Sequence, residues 1–184
     1  MKKIIFIVAA ALVSLSASAQ KFAHVNFNEL VMLMPAADFA RAQIAASQQE
    51  AQDTYKSMTD EFQVKYQQYQ QKSSTWTPAI RESKEKELQD IQTRIQDFDQ
   101  SIQQELQQQQ QQLMAPIQQR AVAAVEKLAK EGGYIYVFEK ASMLYVDETQ
   151  SVDLTPAARK ALNIPDGRTL ETLQQELQAQ AQKQ

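Results

Sequence analysis

The chain has 184 residues, 43% of them hydrophobic, with three glycines, one histidine, no cysteine and a formal net charge of -3. The lack of cysteine excludes disulfides and thiolate metal sites, and sparse glycine favours long regular elements over loops. One histidine and no glycine-rich phosphate loop supply too little chemistry for catalysis, so no enzyme activity, cofactor or metal is expected.

Lys2-Lys3, the apolar stretch Ile4 to Leu15 and Ala17-Ser18-Ala19 follow the order of a secretory leader, residues 1–19, with cleavage expected after Ala19. Its apolar run of about 12 residues is too short for a hydrocarbon core that takes about 20. Export as a soluble chain is expected. Removing Lys2 and Lys3 leaves 17 basic against 22 acidic residues, a net charge of -5, which argues against nucleic-acid binding.

Lys21 to Phe27 alternates as a strand does, with Ala23, Val25 and Phe27 on one side and Phe22, His24 and Asn26 on the other. Asn28 is read as the N-cap of a short helical turn ending near Pro35. His24 has no ligand partners nearby in sequence and is assigned no role.

A long helix is predicted from there. No glycine or proline falls between Ala36 and Lys72, and Ala51, Tyr55, Met58, Phe62, Tyr66 and Tyr69 recur at helical steps. "SSTWTP", Ser73 to Pro78, ends it. Leu88, Ile91, Ile95, Phe98 and Ile102 then mark a returning helix, which continues through Leu106, Leu113 and Ile117 with Pro116 as its one interruption and expected kink. Glutamine is a good helix former, so the glutamine-rich stretch Ser101 to Leu113 is read as wet helix faces rather than as disorder.

Folded about Ser73 to Pro78, the two helices bring residues whose numbers sum to about 150 level: Tyr55 with Ile95, Met58 with Ile91, Phe62 with Leu88. At 1.5 Å per residue, arms of nearly forty residues reach roughly 55 to 60 Å. Met58, Phe62, Tyr66 and Tyr69 can pack in the seam or face a bound chain. Trp76 can staple the tip or touch a partner. The tip is mildly basic, with Lys65, Lys72, Arg81, Lys84 and Lys86 against Glu82 and Glu85, enough for weak, salt-sensitive attraction to anionic clients or a membrane surface.

After Gly132-Gly133, "YIYVF" (Tyr134 to Phe138) and "MLYVD" (Met143 to Asp147) are β-rich runs separated by "EKAS", read as a hairpin. Ser151 to Leu154 adds an edge, and Thr155-Pro156 begins a short helix through Leu162. Residues 163–184, with Leu170, Leu173 and Leu177 on one stripe, are expected to be a fraying helix or disordered.

The expected fold is mainly α with a small β head: a long antiparallel α-helical hairpin, a coiled-coil arm, on a β-barrel-like oligomerisation body. The head comprises 20–34 and 117–162, the arm 35–116 with its tip at 73–78, and the C-terminal extension 163–184. About sixty head residues bury little core alone, and open strand edges want a second copy. Val25, Phe27, Ile135, Val137, Leu144 and Val146 are the candidate oligomerisation residues.

"AHVNFNEL" followed by "MPAADFARAQI", and "GGYIYVFEKASMLYVDETQSVDLTPAARKAL", resemble the Skp/OmpH family of periplasmic outer-membrane-protein chaperones from about Phe22 to Leu162. The resemblance implies a periplasmic homotrimer, its heads joined in one barrel and its arms around a cavity for unfolded outer-membrane β-barrel proteins. The preferred reading is an ATP-independent holdase, and their place near the arm tip makes Tyr66, Tyr69, Lys72, Trp76, Arg81 and Lys84 the candidate client contacts. Two departures stand out. Residues 47 to 100 carry ten acidic and seven basic side chains, unlike the family members with strongly basic arms, and the tail after Leu162 is not covered. The alternative is a structural or adaptor coiled coil binding one folded envelope partner.

Overall fold

A computed structural model describes residues 21–182, so the expected leader and its cleavage site lie outside the described residues. The chain order is β1 (Lys21–Val25), α1 (Phe27–Leu33), α2 (Pro35–Lys72), a 3-10 turn at Ser73–Thr75, α3 (Pro78–Gly132), β2 (Tyr134–Glu139), a second 3-10 turn at Lys140–Ser142, β3 (Ser151–Asp153), α4 (Thr155–Ala161) and α5 (Leu170–Ala181). Among the described residues two compact units result: 21–35 with 117–182, and Ala36–Pro116.

In the β-rich unit the strands form one open sheet in the order β2-β1-β3, all parallel; a single chain closes no barrel. The expected hairpin is therefore corrected. Tyr134–Glu139 pairs with β1, a partner more than a hundred residues upstream, and Met143 to Asp147 is not a strand. Strands that lie parallel on either side of β1 need a return path between them, and Met143 to Asp147 lies on that path. Leu144 there is fully exposed and Tyr145 largely so.

β1 ends at Val25, two residues before the predicted limit, and Asn26 rather than Asn28 caps α1. Its Oδ1 accepts from the Glu29 backbone N–H at 3.0 Å, while Glu29 accepts from Asn26 Nδ2 at 3.3 Å. Phe27 therefore belongs to the helix, and its N–H donates to Glu139 Oε2 at 2.7 Å. That same Glu139 side chain accepts from Ala141 N–H and turns the chain at the end of β2.

The core of this unit gathers Ala23, Val25, Leu30, Val31, Leu33, Ile117, Ala121, Leu154, Ala158, Leu162 and Ile164. His24 is wholly buried, with Nδ1 2.9 Å from Ser151 Oγ and Nε2 3.8 Å from Asp153 Oδ2. Beyond Leu162 the chain does not trail away: α5, capped reciprocally by Thr169 and Thr172, packs on α1 and buries Leu173. Arg159 binds Glu29 and donates to the carbonyls of Pro165, at 2.9 Å, and Arg168, which fixes the link into α5.

In the helical unit α2 has 38 residues, about 57 Å at 1.5 Å per residue. α3 runs unbroken through Pro116, whose missing N–H leaves one helical bond unmade.

Candidate functional site

α2 and α3 fold back on each other through Ala51 and Ile91, both buried, with Thr54, Met58, Phe62, Leu88, Ile95, Phe98 and Ile102 half-buried along the same seam. Tyr55 is 43% exposed and Tyr66 44%, so Thr54 and Lys65 occupy the seam positions that the sequence stripe gives to these tyrosines. The two rings lie on a flank instead, where Tyr66 stacks on Phe62 at 5.9 Å and 9°.

Hydrogen bonds join the helices, among them Gln109 to Ser47 at 2.8 Å, Arg94 to Glu61 at 3.0 Å, Lys65 to Glu87, and Tyr69 to Glu85. Their residue numbers sum to between 152 and 156 rather than to 150. Helical side chains lean toward the N-terminus and cover a spot about one position back. Two helices add about two to the sum, and the long Arg94 and Gln109 side chains reach further.

At the tip, Trp76 meets the Tyr69 ring edge-on at 5.9 Å and 62°, and the Tyr69 hydroxyl donates to Glu85. That carboxylate is the main reason the phenol titrates above its ordinary range. Lys84 donates to Glu87 at 2.8 Å, beside the Lys65 bond. The Lys65 bond, then the Lys84 bond, lower the Glu87 carboxyl to about 2, and the same carboxylate raises Lys65. Of the six candidate client-contact residues, Tyr66, Tyr69, Trp76 and Lys84 have partners within the arm, and Tyr66, Lys72, Arg81 and Lys84 are exposed. Sequence reasoning missed the cross-arm pairs, although a lysine or arginine on one helix level with a glutamate on the other was there to be read.

In the β-rich unit, a groove of about 500 Å³ is lined by Val25, Phe27, Val122, Val125, Ala129 and Val137, with Glu126 and Glu139 at its side. Three of the candidate oligomerisation residues meet there. Ile135 is half exposed on the edge strand β2, as are Tyr136 and Phe138 on its other face, and Leu144 and Val146 lie outside any strand. Among the described residues no cluster of His, Asp or Glu is placed to hold a metal ion, and no helix is long and apolar enough to cross a membrane.

Residues 21–162 match the family model described as OmpH, outer membrane protein (OmpH-like). No curated protein matches the chain. The match takes in β1 through α4 and stops short of α5.

Proposed function

The chain belongs to the OmpH-like family of periplasmic outer-membrane-protein chaperones, and from that premise we propose that it is an ATP-independent holdase for unfolded outer-membrane β-barrel proteins. The observation that carries this reading is the polar outside of the helical pair. Many of its apolar side chains pack along the seam, leaving glutamine, charge and scattered apolar side chains such as Phe39, Tyr55, Val64, Tyr66 and Ile80 to meet another chain. Contacts of that kind are individually weak. They keep the strand edges of a client from pairing elsewhere without trapping it.

Three copies joined through their β-rich units would supply several such arms to one client, so that avidity replaces a tight site. The exposed β2 strand, the groove beside Val137 and the exposed Leu144 are the surfaces this assembly would use. Tyr66, Lys72 and Arg81 are the contacts favoured on the arm. Tyr69 and Trp76 hold the tip and remain half-exposed, and Lys84 contributes only where Glu87 releases it.

Light scattering tests the reading. The assembled protein, at one assembly per client, is expected to suppress aggregation of an outer-membrane protein diluted from urea. Unchanged aggregation in the presence of folded, helical protein contradicts it. Saturable binding of a single folded envelope protein at fixed stoichiometry would favour the adaptor role instead.

A further inference from the structure

The charge of the helical unit is unevenly distributed. From Lys56 to Arg94, around the tip, seven basic residues face six acidic ones, but residues 42–55 and 95–116 contain no lysine or arginine at all. Those two stretches run beside each other, as the Gln109 to Ser47 bond fixes, and they carry Glu50, Asp53, Asp97, Asp99 and Glu105. Within this cation-free zone the helices do not close. Ala51 and Thr54 are too small to fill the space opposite Phe98, Ile102 and Leu106, and a cavity of about 480 Å³ opens there with Glu50 and Glu105 among its lining residues.

We propose that this cavity is a subsite for lysine and arginine side chains of an unfolded polypeptide. A long cationic side chain is amphipathic: its methylene stem suits the floor of Phe98, Ile102 and Leu106, while its charged end stays wet beside a carboxylate. The complementarity is specific in sign, because no cation within either stretch competes for Glu50 or Glu105. A bare metal ion is a poorer occupant, since no ligand cluster forms among the described residues. A wholly apolar segment would leave the acidic rim unused. The proposal deepens the holdase reading and rests on it, adding that the arm selects cationic segments of its clients.

The test uses the purified protein and three flexible fluorescent peptides of equal length and apolar content, one lysine-rich, one neutral and one glutamate-rich, followed by anisotropy. At low salt the lysine-rich peptide is expected to bind about fivefold tighter than the neutral one, the scale of two exposed ion pairs. The advantage should vanish as added salt shortens the screening length to a few ångströms. Glu50→Gln/Glu105→Gln should abolish the advantage while leaving affinity for the neutral peptide unchanged. Equal binding of lysine-rich and neutral peptides, a preference for the glutamate-rich one, or an advantage that survives the double substitution overturns the subsite and leaves the holding role standing. Binding of none of the three overturns both.

Discussion

Glu87 shows how single residues set the character of the tip. It sits between Lys65 on the facing helix and Lys84 on its own, and its carboxyl falls from 4.5 to about 2. A carboxyl lowered by folding contributes stability above its unfolded pKa and loses it as pH drops through the folded one. With the side chain a third exposed, screening limits the effect to about 0.5 kcal/mol. Glu87→Gln is expected to lower stability by that amount near neutral pH. The gap to the unsubstituted protein should close as the pH falls from 4.5 toward about 2, as urea melts at a series of pH values would show. The same pairing explains why counting lysines overstates the positive charge that the tip offers: two of its cations are already answered.

Among the elements, the helices were legible because the period of the apolar residues and the break at Ser73 to Pro78 are local signals. The sheet was not. β-rich composition marks Tyr134 to Phe138 as a strand but does not say that its partner is Lys21 to Val25, nor that the next β-rich run serves as a return path. The cap of α1 was misplaced by two residues for a different reason: the local signal was there but passed over, since Glu29 stands three positions after Asn26 while Asn28 has Val31 at that place. In α5 the leucine stripe was visible, but docking depends on Arg159 tying the link to α1. Leu173→Ala should therefore cost about 2 kcal/mol or more, as loss of a buried leucine does, measured by thermal or urea unfolding. A cost within a few tenths would mean that α5 is only loosely attached.

For the molecule as a whole, the family was legible from the two segments that bracket the arm, whereas the arm's own contacts were read less well. Seam residues were offset where Thr54 and Lys65 take the places given to Tyr55 and Tyr66, and Tyr69 and Lys84 of the client-contact set also bond within the arm. Assembly can be separated from folding at Leu144, which is fully exposed in the single chain. Leu144→Asp is expected to leave the helical signal and melting of the subunit intact while reducing the assembled mass seen by sedimentation. An unchanged mass would remove Leu144 from the interface. The most direct test of the central claim is photo-crosslinking with a reactive side chain placed at Tyr66, or at Lys160 on α4 as a control, during dilution of an unfolded outer-membrane protein. Holding by the arms predicts client adducts at Tyr66 and few at Lys160; equal labelling at both, or none at Tyr66, would contradict it.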